Sequence, residues 1–170
     1  MTCGNALKSI LAVSALYFAA AAAPAAAQQG KTPAKPEDQQ VQRGRYLVKV
    51  TGCNDCHTAG YAVSGGKVPE AQWLTGDQLG WSGPWGTTYP ANLRLYMAPM
   101  TEKGWVQAAK SLKTRPPMPW FALHDMTEQD LKAIYRYVAW LGPAGEKAPA
   151  YVPPGKTPQT PVVQFPSAPN

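Results

Sequence analysis

Cys53-Asn54-Asp55-Cys56-His57 is the stretch on which the reading of this 170-residue chain turns. Two cysteines separated by two residues, with a histidine directly after the second, form the C-x-x-C-H spacing that attaches a haem covalently. Each cysteine sulfur can bond one vinyl group on an edge of the porphyrin, and the adjacent imidazole is then carried beneath the metal as an axial ligand. With 3 Cys and 2 His in the whole chain, chance would produce the pattern on the order of 10⁻³ times in a sequence of this composition.

Two other chemistries use paired cysteines. A thioredoxin-like redox disulfide needs a βαβ pattern around the motif, and Val41–Val50 reads instead as helix. A structural zinc site needs four Cys or His donors. The remaining cysteine, Cys3, lies in a segment expected to be removed, and His124 does not complete a set.

That removable segment is the N-terminus. Lys8 precedes an apolar run from Ile10 to Ala23, and Ala25-Ala26-Ala27 then offers a small-residue cleavage site, the order of a secretory signal peptide. The run is short for a bilayer span, so no retained membrane span is expected. Cys3 precedes the apolar run and cannot be a lipoprotein cysteine. Export places the protein outside the cytoplasm, with the bacterial periplasm as the expected location.

The resulting organisation is a signal peptide over 1–27, a flexible leader over 28–40, a single domain over 41–142 and a Pro-rich extended tail over 143–170. The formal charge of +6 falls by one with Lys8. A dispersed basic excess without a long Lys/Arg run excludes a nucleic-acid tract and suits docking on acidic protein partners.

Within the domain a first helix begins at Val41. Its stripe is read as Tyr46, Leu47 and Val50, with Gly44 available for close approach of another helix and Gly52 for the turn into Cys53. Residues 58–96 are rich in glycine and tryptophan and show no periodicity, as expected of a segment that wraps a flat cofactor. Thr101 caps a short helix carrying Trp105, Ala109 and Leu112. The last helix is the clearest: Thr127 and Asp130 resemble a capping box, Leu131, Ile134, Tyr135, Val138 and Leu141 form a stripe, and Gly142-Pro143 ends it. The tail carries eight prolines from Pro143 onward. Proline excludes helix there and favours an extended chain.

The second axial ligand decides the chemistry. A thioether stabilises reduced iron and suits electron transfer, whereas an open position suits oxygen or peroxide chemistry. Candidates are Met97, Met100, Met118, Met126 and His124. Met118 is the first choice, because Pro117 and Pro119 flank it and a proline-locked loop holds a weak ligand at low entropic cost. Met97 and Met100, around Ala98-Pro99, compete with it. Met126 also reads as a hydrophobic staple for the last helix.

With these ligands in place, the sequence resembles single-haem class I cytochromes c exported to the periplasm. The resemblance covers Val41–Gly142 and rests on Cys53-x-x-Cys56-His57 and on Met118-Pro119-Trp120 ahead of Met126-Thr127-Glu128-Gln129-Asp130-Leu131. In addition, Pro84-Trp85-Gly86-Thr87-Thr88-Tyr89-Pro90-Ala91-Asn92-Leu93 is similar to a segment of the cytochrome subunits of membrane-bound alcohol and aldehyde dehydrogenases. Those subunits generally carry three haem motifs and continue with Thr-Pro where this chain has Arg94-Leu95.

The resemblance implies an all-α cytochrome c fold around one covalently bound haem c, with the first and last helices crossing. It implies that the Pro84 carbonyl accepts a hydrogen bond from His57, and that Tyr89, Asn92 or Arg94 contacts a haem propionate. The function it implies is one-electron transfer between redox proteins, with a dehydrogenase as donor and an oxidase or another cytochrome as acceptor. The competing readings are a tightly held subunit of a larger dehydrogenase and a five-coordinate haem enzyme or sensor. No nucleophile stands beside a base in the sequence, and the protein is read as a carrier, not an enzyme. Export predicts a mature chain that begins at Gln28. N-terminal sequencing of the purified periplasmic protein checks this, and a chain starting at Met1 would refute it.

Overall fold

A computed structural model describes residues 36–166. The proposed signal peptide, residues 28–35 of the leader and residues 167–170 of the tail lie outside the described residues. Six helices and one small sheet follow in order: α1 (Pro36–Val50), α2 (Cys53–His57), β1 (Gly80–Gly83), β2 (Gly86–Thr88), α3 (Leu93–Met97), α4 (Glu102–Ser111), α5 (Trp120–Asp125), α6 (Glu128–Leu141) and β3 (Val162–Gln164).

Helix α1 starts five residues before the expected leader boundary. Proline is pre-set for a first helical position, which suits a start at Pro36. Its buried face also differs from the expected one. Tyr46 and Val50 are more than half exposed, while Leu47 and Val48 are buried. The face is set by Gly44 and Val48, one turn apart, because α1 packs on α6 there. A Cβ built on Gly44 would collide with the Ala133 carbonyl and the Tyr137 Cβ, so glycine is what lets the two backbones approach.

Helix α6 follows its sequence signals. The Thr127 hydroxyl accepts from the Asp130 amide at 3.1 Å, and Gly142 ends the helix at φ 68°. Leu131, Ala133, Ile134, Tyr137 and Val138 are buried. Each fully buried Leu or Ile of this kind contributes about 1.5–3 kcal/mol. Helix α4 is capped as expected, Thr101 accepting from the Gly104 amide at 3.1 Å. It packs on α6 through Trp105, whose indole N–H donates to the Leu131 carbonyl at 2.9 Å.

Tyr137 is fully buried and was not part of the expected stripe. Its hydroxyl donates to Glu70 Oε1 at 2.8 Å, and Arg45 Nε donates to the same oxygen at 2.7 Å. Those two bonds, Arg45 first, hold the Glu70 carboxyl below its ordinary range. Burial and the hydrogen bond to Glu70 push the Tyr137 phenol far up, so it stays protonated as the donor. The arrangement ties α1, α6 and the 3₁₀ turn Glu70–Gln72 together.

The all-α expectation needs correction. β1 pairs antiparallel with β2 through a two-residue loop, with Gly83 opposite Gly86. β3 joins β1 in parallel, with Gly80, Trp81 and Ser82 opposite Val162, Val163 and Gln164. Strands of three or four residues are too short for alternation to show in a sequence. Helix α5, directly after Pro116-Pro117-Met118-Pro119, was likewise not expected; Pro119 serves as its N-cap. From Gly142 to residue 166 there is no helix.

Gly44→Ala is expected to destabilise the fold by about 1–3 kcal/mol, since backbone rather than a flexible side chain must yield. Chemical denaturation of the two proteins measures it, and an unchanged midpoint would contradict close packing at this crossing.

Candidate haem site

Gly52, at φ 74°, turns the chain from α1 into the single turn of α2. Cys53 and Cys56 stand at i and i+3, the spacing that puts two side chains on one helix face, and His57 follows. Asn54, between the cysteines, is wholly buried. Its Oδ1 accepts from the Thr58 hydroxyl at 2.8 Å, and that hydroxyl accepts from the Leu74 amide at 2.8 Å. The turn is therefore pinned to the following segment from below.

Cys53, Cys56 and His57 line one predominantly apolar cavity of about 750 Å³. Its walls include Leu74, Trp81, Pro90, Trp105, Leu123 and Ile134, and Lys113, Thr114, Arg115 and Tyr151 supply polar lining. A cavity of this size suits one large cofactor.

His57 Nδ1 lies 2.7 Å from the Ala91 carbonyl. A carbonyl can only accept, so Nδ1 carries the proton and Nε2 keeps its lone pair. Burial pushes the imidazole pKa below its ordinary value, outweighing the opposite pull of the Ala91 bond. A neutral ring with one free lone pair is the form that ligates a metal. Burial likewise pushes both cysteine thiols up. Asp55 adds to this at Cys56, while the hydroxyl of Thr51, 3.4 Å from the sulfur, opposes it at Cys53. Among the described residues no group of three or more His, Cys, Asp or Glu could hold a metal ion by itself.

Of the other expected ligands, Met118 lines the cavity, and so do Met97 and Met126. Met100 packs beside the core, its carbonyl accepting from the Tyr135 hydroxyl at 2.6 Å. His124 is drawn elsewhere: its Nε2 bonds the Leu112 carbonyl at 2.9 Å, and its ring sits 5.1 Å from that of Trp120.

The family model for cytochrome c matches residues 41–142. The chain belongs to the cytochrome c family. No curated protein and no solved structure matches it. Cytochromes c carry covalently attached haem c with its iron, and the fold is the cytochrome c fold. The residues present fit that group: two sulfurs and a neutral imidazole come from one short turn, and at least one thioether reaches the same apolar cavity.

Three expectations for the residues around the haem of this cytochrome are corrected. Pro84 is exposed in the loop between β1 and β2 and does not meet His57; the carbonyl that does is Ala91, seven residues on. Asn92 caps α3 through Oδ1, which accepts from the Leu95 amide at 3.0 Å, and its Nδ2 donates to the carbonyls of Ala144 and Glu146 at 2.7 and 3.0 Å. Arg94 is buried and donates to the carbonyls of Leu141, Gly142 and Ala71 at 2.5, 2.5 and 2.7 Å. Both side chains are spent on backbone groups, because the end of α6 leaves carbonyls that need donors. Tyr89 does line the cavity, and its hydroxyl accepts from Thr160 at 2.9 Å. Sequence reasoning missed Trp81, Pro149 and Tyr151 in the lining. Trp81 lies in the glycine- and tryptophan-rich segment expected to wrap the cofactor, whereas proline content alone gave no sign that Pro149 and Tyr151 return to it.

Arg94→Met removes the three hydrogen bonds of a buried guanidinium to backbone carbonyls and is expected to cost about 3 kcal/mol. The haem absorption spectrum and potential of the folded protein should not change. A shifted potential at unchanged stability would restore Arg94 to a cofactor-binding role.

Proposed function

We propose that this cytochrome is a periplasmic single-haem electron carrier in which Cys53 and Cys56 form the thioethers and His57 and Met118 are the axial ligands. The observation that carries the reading is the convergence of these four side chains on one apolar cavity. When bound, the haem supplies one-electron chemistry between ferrous and ferric iron.

The chain's own residues do the rest. Ala91 fixes the imidazole plane through Nδ1–H and makes His57 a better donor. The apolar walls exclude water and favour the iron state of lower charge. Met118 is favoured over Met97 and Met126 because it sits on a loop with Pro116, Pro117 and Pro119 around it, whereas Met97 is packed in the core with 2 % exposure. A filled sixth position leaves no place for a substrate on the iron, which supports a carrier over an enzyme or gas sensor.

Partners on this reading are redox proteins, a dehydrogenase as donor and an oxidase or another cytochrome as acceptor. The basic excess suits acidic docking surfaces. Among the described residues no helix is long and apolar enough to cross a membrane. The free shuttle is preferred to a dehydrogenase subunit because the Trp-rich loop is satisfied within the chain. Trp81 and Trp85 pack on Phe165 at ring-centroid distances of 5.9 and 5.3 Å.

Met118→Ala is expected to abolish the weak near-infrared sulfur-to-iron absorption band, lower the reduction potential and open the ferrous protein to carbon monoxide. A band that survives the substitution eliminates Met118 as ligand.

A further inference from the structure

The family match ends at residue 142, yet the chain beyond it supplies part of the cavity wall through Pro149 and Tyr151. The contact is built into both sides. Val152 and Thr87 exchange backbone bonds of 2.8 and 3.0 Å. The Tyr151 hydroxyl donates to the Trp85 carbonyl at 2.8 Å. Gly86, at φ 92°, leaves the room: a Cβ there would strike the Val152 carbonyl and the Tyr151 ring. Further along, β3 pairs with β1, and the Phe165 amide donates to Ser82 at 2.8 Å.

Tyr151 also faces the loop that carries Met118. The Arg115 guanidinium lies over its ring at 3.7 Å from the centroid. One residue later, the Pro116 carbonyl accepts from the Thr88 hydroxyl at 2.8 Å. Only Pro116 and Pro117 then separate Arg115 from Met118, and both have φ locked by their rings. A restraint on Arg115 is therefore transmitted to Met118 with little slack.

We propose that Tyr151 is a positioning residue for the Met118 ligand: it holds Arg115, and through the proline pair it keeps the thioether seated against competing external ligands. The inference rests on the reading of Met118 as the axial ligand. A thioether is a weak ligand, so its occupancy depends on how seldom the loop that bears it swings away. An Arg–aromatic stack between an exposed guanidinium and a half-buried ring is strong enough to change that population about two- to fivefold. The hydroxyl bond to Trp85 orients the ring but does not make the stack.

The test is imidazole binding to the ferric holoprotein, followed by absorption. Tyr151→Leu is expected to bind imidazole about two- to fivefold more tightly than the parent protein. Arg115→Met should do the same, and the double variant should go no further than either single one, because both remove one contact. Tyr151→Phe keeps the stack and should bind imidazole like the parent. If Tyr151→Leu alone fails to incorporate haem, Arg115→Met and Tyr151→Phe still decide the matter.

The two layers fail separately. A near-infrared band that survives Met118→Ala removes the ligand reading, and the positioning claim with it. A band lost in Met118→Ala, together with parent-like imidazole affinity in Tyr151→Leu and Arg115→Met, overturns the positioning claim alone. So does a Tyr151→Leu variant that melts earlier but binds imidazole unchanged.

Discussion

The structure depends on a geometric constraint set within five residues. Two sulfurs three positions apart and an imidazole beside the second can serve one flat ring only from a short, rigid turn. Gly52 enters that turn in the left-handed region, and Asn54 and Thr58 pin it internally. Everything else is arranged around what the turn presents. Helices α1 and α6 cross at Gly44, α4 closes on α6 through Trp105, and the apolar side chains left over face a cavity instead of each other.

The polar interior follows a second rule: buried donors go to the carbonyls that helices leave unpaired. Arg94 reaches the last carbonyls of α6, Asn92 holds the segment just beyond it, and Lys110 donates to the carbonyl of His124 at 2.6 Å and to that of Met126. These contacts add polar ties between elements that also pack through the shared apolar core. They also explain why a basic residue inside a cofactor protein need not touch the cofactor.

What could be read from the sequence was local. The motif, the Thr101 and Thr127 caps and the end of α6 at Gly142 all depend on residues within four positions of each other. The face of α1 could not be read that way. Tyr46 and Val50 outweigh Gly44 by size, and only the presence of α6 shows that the smallest residue marks the contact. The strands were hidden because Gly80–Gly83 and Gly86–Thr88 are too short to show alternation, and β1 takes its second partner from a segment 82 positions downstream. Around the haem, Asn92 and Arg94 have the chemistry of anion ligands, and local sequence cannot reveal that backbone carbonyls from residues 141–146 already occupy them.

Strand β3 reaches back across 82 positions to lie beside β1, whose Trp81 lines the cavity. The crossing of Gly44 with Ala133 spans a still longer stretch of chain. Both ends of the polypeptide therefore fold back over its middle, and Pro149 and Tyr151 come to the chamber from the later one. A chain cut short after α6 would lose a sheet strand and a piece of the wall together.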